Sequence, residues 1–204
     1  MYLSVLLLVL AEQLGETSFG DEIALIERAR QLDDDAWQII YNRYYHRLYS
    51  FFYFRFGDTE LAEELTAQVF ERAVKHICHF RHQGSTLGAW LHRIAHNLAN
   101  DQLRRRKSGP PTPPLELIEE GLRSEDDPST HILQDEATRL LRQALDRLTP
   151  EQREVVLLRF VAQMTAPEIA TITGKTTGAI KALQHRALAS LRRELEALGY
   201  HGFS

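Results

Sequence analysis

The stretch STLGAWLHRIAHNLANDQLRRRK, from Ser85 to Lys107, predicts a helix with two chemically distinct faces, capped by Ser85 or Thr86. At a helical period its leucines, isoleucine and alanine gather on one side, which is typical of packing against protein. Nucleic acid suits the other side, because cations meet phosphates, amides reach base edges and an aromatic ring stacks on an unpaired base. A solvated basic face with the tryptophan as core packing is the alternative. This second face comprises Arg93, His96, Asn97, Asn100, Arg104 and Lys107, with Trp90 at its border.

The average charge of the chain hides its distribution. The 204 residues have a formal net charge of −4 and a hydrophobic content of 44%, which allows one or two ordinary globular domains. Residues 76–107 carry six basic residues and one acid, and residues 175–193 carry five basic residues and no acid. Residues 108–135, between them, carry seven acids and one base. Two basic blocks separated by an acidic tract predict two places of contact with nucleic acid.

The cysteine content and the N-terminus indicate a cytoplasmic protein. Cys78 is the single cysteine, which excludes an internal disulfide and fits a reducing compartment; we expect a buried, inert helix thiol. Residues 1–14 are apolar over about ten positions, fewer than the ~20 that a transmembrane helix needs, and they lack the basic start of a signal peptide. We therefore predict an N-terminal extension over residues 1–20, of uncertain role and without membrane insertion.

After a short helix over residues 21–31, two long helices are predicted before the quoted stretch. The first covers residues 35–56, stops at Gly57 and contains ten of the eighteen aromatic residues of the chain. Most of these rings should be core, and the excess near the end of the helix should face a partner. The second starts at a cap, Asp58 or Thr59, and runs to about Phe80. Its polar outer face is either solvated or binds a partner.

The C-terminal part of the sequence predicts a helix-turn-helix after a linker. Residues 108–130 begin with four prolines in nine positions and cannot form regular structure there. Two capping boxes follow, Thr149 with Gln152 and Thr165 with Glu168, and each has a proline one or two positions after the threonine. A short helix over residues 169–173 then ends at Gly174 and precedes a long last helix to about Leu198. An ordinary helical hairpin with a basic solvated face is the alternative.

In a helix-turn-helix the first residues of the second helix reach base edges in the major groove. Lys181 and His185 are the predicted base contacts, and small residues beside them permit close approach. The whole predicted surface comprises Lys175, Thr176, Thr177, Gly178, Lys181, Ala182, His185 and Arg186.

In this order and spacing the segments resemble the bacterial sigma-70 family, specifically the two-domain extracytoplasmic-function (ECF, group 4) sigma factors. The match covers roughly residues 21–107 and 132–196. The resemblance implies an all-α fold: a region 2-like domain over residues 21–107, a flexible acidic Pro-rich linker over 108–130 and a region 4-like domain over 131–204. It is carried by Ala62–Leu65, Phe70, Arg72-Ala73, Trp90-Leu91, Arg93–Ala95, Asn97, Leu103–Arg105, Leu148–Glu154, Glu168–Ala170, Ile180-Lys181 and His185–Ala187.

The resemblance also implies partners and site residues. The expected partners are promoter DNA and core RNA polymerase, held through its β′ clamp and β flap, and an anti-sigma factor is compatible with the family; no cofactor and no catalysis are expected. The region 4-like surface would bind the minus-35 element. Minus-10 contacts are assigned to Phe80, Arg81, Gly84, Ser85, Thr86, Trp90, Arg93, His96, Asn97, Asn100, Arg104, Arg105, Arg106 and Lys107. Polymerase contacts are assigned to Glu63, Glu64, Gln68, Glu71, Arg72, Lys75, Arg159 and Phe160.

Two other functions are compatible with parts of the sequence. A helix-turn-helix regulator with a sensing or dimerisation domain would bind duplex DNA without polymerase. A metalloenzyme would use His92 and His96, which are spaced i, i+4, with His76, His79 and His82 nearby. Positive surroundings oppose a bound cation, and no carboxylate stands in a convincing motif beside these histidines, so we expect no metal.

Overall fold

A computed structural model describes residues 19–81, 86–108 and 128–200, with side chains for 21–81, 86–106 and 137–200. The regular elements of these described residues are all helical. The predicted extension over residues 1–20 and the linker over 108–130 therefore lie mostly outside the described residues. The elements are α1 (Phe19–Arg30), α2 (Asp34–Phe56), α3 (Thr59–His76), a 3₁₀ turn (Ile77–His79), α4 (Leu87–Ser108), α5 (Pro128–Asp146), α6 (Pro150–Val156), a π-helical turn (Leu157–Val161), α7 (Ala166–Thr173) and α8 (Thr177–Ala197).

Local signals set the boundaries of α2, α3 and α4. Gly57, at φ +69°, ends α2, and Asp58 caps α3 by accepting a hydrogen bond from the amide of Leu61 at 3.0 Å. Thr86 caps α4 by accepting from the amide of Ala89 at 3.1 Å. Asp58 and Thr86 are each one of two predicted caps, and both are confirmed.

The end of α3 differs from the prediction. The helix stops at His76, and the chain continues as a 3₁₀ turn instead of running to about Phe80. The tighter turn places Ile77 and Phe80 in the core, at three-residue spacing, and leaves Cys78 between them exposed. The expectation that Cys78 is a buried helix thiol is therefore wrong.

The N-terminal domain packs α3 and α4 against α2, and α1 fixes the start of α4. Phe51 and Phe52 of α2 are fully buried in its core. Glu22 of α1 accepts from the first amide of α4, that of Leu87, at 2.7 Å. Arg30 of α1 donates to the carbonyl oxygen of Phe80 at 2.6 Å. These two bonds hold both ends of the segment that leads into α4.

The C-terminal domain packs α6 and α7 against α8 and contains the predicted helix-turn-helix. Both capping boxes are present, one of Thr149 with Gln152 and one of Thr165 with Glu168. The second box starts α7 at Ala166, three residues earlier than predicted, since its proline stands within the first turn. Gly174 ends α7 at φ +68°.

One late aromatic residue of α2, Tyr53, faces the C-terminal domain. The guanidinium of Arg142, on α5, lies 5.8 Å from the ring centre of Tyr53, and it covers Gly57 so closely that an added Cβ would lie 1.8 Å from Nη2. For Tyr53 the expected partner is thus, in this structure, the second domain of the same chain, whereas Phe51 and Phe52 are core and Phe56 lies beside Arg106 of α4. No helix among the described residues has an apolar run long enough to cross a membrane.

Candidate nucleic-acid interface

The predicted contact face of α4 is divided between solvent and the other domain. Arg93 and Asn97 are exposed on the solvent side, together with Arg104 and Arg105. Thr86, the cap residue at the start of the helix, is exposed as well. Arg93 and Asn97 present a cation and an amide to solvent, which is the chemistry that phosphates and base edges need.

Trp90 lies at the border that the sequence predicted. It is half-buried, and its ring centre lies 5.2 Å from that of Phe80. Phe80 is only 4% exposed, so it supports the tryptophan from within the core. Arg81 beside it is exposed and donates to the carbonyl oxygen of Cys78 at 3.0 Å. Trp90 therefore leaves part of its indole ring accessible to solvent.

His96 and Asn100 point toward the C-terminal domain. The His96 ring nitrogen Nε2 lies 3.0 Å from Oε1 of Glu154, on α6. Arg55, from α2, donates from Nη2 to the same carboxylate oxygen at 3.4 Å and to Oδ1 of Asn100 at 3.3 Å. Sequence reasoning gave Arg55 and Glu154 no role in the site, because 99 residues separate them. The Leu148–Glu154 match contains Glu154 but does not indicate its partner.

Burial and ion pairing shift the pKa values of Arg55 and Glu154 in opposite directions. Burial lowers the pKa of Arg55, against the opposing effect of the Glu154 charge. Burial alone would raise the pKa of Glu154, but the hydrogen bond with His96 and the charge of Arg55 outweigh it, so that pKa is lowered. The carboxyl group of Glu154 is therefore ionised at neutral pH and holds Arg55 of α2 and His96 of α4.

The basic end of α4 is partly neutralised by nearby acids. Arg104 pairs with Asp101. Arg106 lies 5.2 Å from the ring centre of Phe56, with Nη2 3.9 Å from a carboxylate oxygen of Asp58. Three further predicted contacts lie outside the described side chains: Gly84, Ser85 and Lys107.

The two histidines of α4, His92 and His96, do not face a common site. His92 is 1% exposed, packs on the ring of Phe51 at 6.0 Å and has no hydrogen-bond partner for either ring nitrogen among the described residues. Burial, with the nearby charge of Arg47, lowers its pKa to about 3, so the ring is neutral. His96 instead meets Glu154. In the described part of the chain no three metal-ligating side chains form a group, and His82 lies outside that part.

The face of α8 that is predicted to contact DNA is open to solvent. Thr176 caps the helix by accepting from the amide of Ala179 at 3.2 Å. At Gly178 an added Cβ would meet nothing within 4 Å. Lys175 is partly exposed and donates to Oε1 of Glu151 at 2.8 Å, which raises its pKa. Thr177 is half-buried, and the remaining predicted contacts are exposed: Lys181, Ala182, His185 and Arg186.

The outer face of α3 carries most of the predicted polymerase contacts. Five are exposed and Gln68 is half-buried, with its amide donating to Glu64 at 3.0 Å. Tyr41 and Val74, on α2 and α3, are exposed apolar residues that were not predicted as polymerase contacts. Arg159 and Phe160 lie elsewhere and are half-buried. The five exposed contacts are Glu63, Glu64, Glu71, Arg72 and Lys75.

Comparison with known proteins places both domains. Residues 40–109 match the family model for sigma-70 region 2, and residues 144–193 match that for sigma-70 region 4. The ECF RNA polymerase sigma factor BldN of Streptomyces coelicolor is 36% identical over 171 residues, which cover 84% of this chain and 64% of BldN. The ECF RNA polymerase sigma factor SigW of Bacillus subtilis is 26% identical, over 85% of this chain and 96% of SigW.

A solved structure agrees at the level of the fold. The sigma factor RpoE from Bartonella quintana, in complex with the anti-sigma factor NepR, superposes with a TM-score of 0.62 at 22% identity, over 78% of this chain and 96% of that one. The two region models together span more than half of the chain, in the order that the sequence predicted. The chain therefore belongs to the ECF sigma factors of the sigma-70 family.

Proposed function

We propose that this ECF sigma factor is a dissociable, non-catalytic subunit that directs core RNA polymerase to promoters, in the cytoplasm. The observation that carries the proposal is a pair of exposed basic surfaces on separate domains. One is the solvent side of α4, with Arg93 and Asn97, and the other is the start of α8, with Lys181. Each is built from cations and small or amide side chains on a helix held rigidly by caps and packing.

The C-terminal domain is proposed to bind duplex DNA at the minus-35 element. Gly178 and Ala182 leave the face of α8 low enough for close approach, and Lys181 and His185 rise beside them. This is the position from which a recognition helix contacts base edges in the major groove. Lys175, with the adjacent threonines, would meet phosphates.

The N-terminal domain is proposed to hold unstacked bases at the minus-10 element. Unstacking costs a few kcal/mol per base, and stacking on an aromatic ring returns ~1–3 kcal/mol. Trp90 supplies the ring, and Arg93, with the arginines at the end of α4, supplies phosphate contacts. Binding should therefore weaken with salt.

Core polymerase is the proposed partner of the outer face of α3, where Glu64 and Arg72 are exposed. The two half-buried residues Arg159 and Phe160 would make the second contact. An anti-sigma factor is a further proposed partner, since the related Bartonella sigma factor was solved with one.

Reconstituted transcription from a cognate promoter tests the proposal. Lys181→Ala should reduce initiation by roughly 5- to 150-fold, because a lost base contact costs ~1–3 kcal/mol. Arg192→Ala is the matched control, since Arg192 is exposed further along α8 and pairs with Glu196. Equal effects of the two variants would contradict the assignment of the recognition face.

The minus-10 assignment has its own test. Asn97→Ala should reduce initiation on duplex promoters more than on templates opened in advance, because the pre-opened strand no longer has to be unstacked. Asn42→Ala removes an exposed amide from α2 and serves as the control. The absence of any polymerase-dependent initiation would overturn the function, and tight specific duplex binding without polymerase would favour the helix-turn-helix regulator.

A further inference from the structure

The contact between the two domains is centred on one carboxylate. Glu154, on α6, lies 3.0 Å from His96 and 3.4 Å from Arg55, which belong to α4 and α2 of the other domain. The exposed fractions of these side chains are 17% for Glu154, 8% for His96 and 10% for Arg55. All three polar groups are thus held between the domains.

Other contacts extend this interface along α4 and the end of α2. Asn100 joins the cluster, with Nδ2 3.2 Å from Nε2 of His96. At the start of α4, the hydroxyl of Thr86 lies 3.5 Å from Oε1 of Glu168, the acidic residue of the α7 capping box. Near the end of α2, the guanidinium of Arg142 lies over the ring of Tyr53. The C-terminal domain therefore lies against Thr86, His96 and Asn100, three of the residues that the proposed function assigns to promoter DNA.

We propose that Glu154 is an autoinhibitory latch, which holds the two domains together and keeps His96 and Asn100 from a DNA strand until the domains separate. The inference rests on the proposed minus-10 role of α4. A carboxylate within hydrogen-bond distance takes the position that polar groups of a strand would need, and its negative charge repels phosphates. The closed and the DNA-bound arrangements are for that reason mutually exclusive at these two residues.

The latch is built to open at modest cost. The Nε atom of Arg55 is buried and has no hydrogen-bond partner among the described residues, and its contact with Glu154 is long. Attraction within a buried ion pair is largely offset by the desolvation of both charges. Separation of the domains would rehydrate Arg55, His96 and Glu154 together, so the lost contacts are repaid by water.

Charge exchange in the full-length chain tests the closed state. Glu154→Lys and Arg55→Glu each place like charges in the cluster, and the double variant restores an opposite pair. Small-angle scattering should show a larger radius of gyration for both single variants and a return toward the wild-type value in the double variant. Glu196→Lys, at an exposed position of α8, makes the same charge change as Glu154→Lys and should leave the radius unchanged.

Binding of a short labelled single-stranded DNA of random sequence tests the masking. Glu154→Lys should bind about tenfold more tightly than Glu196→Lys, the gain expected when the competent fraction rises from about one tenth to nearly all. Comparison with Glu196→Lys cancels the general effect of added positive charge. Glu154→Gln keeps the shape of the side chain and serves as the substitute should Glu154→Lys fail to fold. It should change the radius of gyration and the DNA affinity in the same direction as Glu154→Lys, by less.

The latch is overturned if Glu154→Lys and Glu154→Gln remain as compact as wild type, or if they expand and bind the strand no better than Glu196→Lys does. Failure of the proposed function is a separate result. In that case no variant, including wild type, would support promoter-directed transcription with core polymerase, and the scattering and single-strand measurements would still decide the latch.

Discussion

His92, in the core of the N-terminal domain, makes the stability of that domain depend on pH in a calculable way. His92 is neutral in the folded chain because burial, aided by the charge of Arg47, lowers its pKa from 6.5 to about 3. The unfolded chain takes up this proton below about pH 6.5, whereas the folded chain does so only near pH 3. The neutral ring therefore contributes fully above pH 6.5, and the contribution is lost as the pH falls toward 3.

The expected magnitude follows from the two pKa values. Between pH 7 and pH 5 the free energy of unfolding should fall by about 2 kcal/mol through His92 alone. His92→Leu removes the titrating ring and replaces it with an apolar side chain of similar size. The difference in unfolding free energy between the two proteins should accordingly change by about 2 kcal/mol over this range, while all other groups titrate equally in both.

Urea unfolding followed by tryptophan fluorescence measures this difference selectively. Trp37 and Trp90, the only tryptophans of the chain, both lie in the N-terminal domain, so their emission reports that domain. His46→Gln changes an exposed histidine of α2 and should follow the wild-type curve. Parallel curves for wild type and His92→Leu between pH 7 and pH 5 would refute the reasoning, because they would show that the ring is protonated, or hydrated, in the folded state.

Two other changes have expected effects on stability. Gly57→Ala should cost more than Gly174→Ala in thermal unfolding, since both glycines have φ near +70° but only the Cβ at position 57 would collide with Arg142; the strain alone should cost about 1 kcal/mol, and equal losses would contradict the Arg142 contact. Thr149→Ala removes the first capping box and should lower stability by about 1 kcal/mol in far-UV circular dichroism melts, with Thr171→Ala on α7 as the control for losing a hydroxyl.

Features decided by nearby residues could be predicted from the sequence. The caps at Asp58 and Thr86 and the left-handed glycine at the end of α2 depend on two or three adjacent positions, and the structure has them where the pattern indicated. The exposed face of α8 followed from helical periodicity in the same way. In each case a short segment contains both the hydrogen-bond donor and its acceptor, or both faces of the helix.

Features decided by distant residues could not be predicted. The periodicity of α4 placed His96 outside its own core correctly, but it could not show that Glu154 covers it, since nothing local links positions 58 residues apart. The burial of Phe80 and the exposure of Cys78 depend on a 3₁₀ turn that the apolar pattern of α3 did not indicate. The predicted DNA and polymerase contacts remain predictions, because exposure shows only that they are available.

Internal pairing reconciles an acidic chain with a function in DNA binding. Arg104 pairs with Asp101, and Lys175 with Glu151, at positions where phosphates are expected. Exposed ion pairs of this kind contribute little to stability, so a phosphate can replace either carboxylate at little cost. In the free chain the acids reduce the field that would attract DNA nonspecifically. Binding should therefore be weak for the free chain and stronger on polymerase, which would hold both surfaces near one promoter and thereby raise their effective concentration.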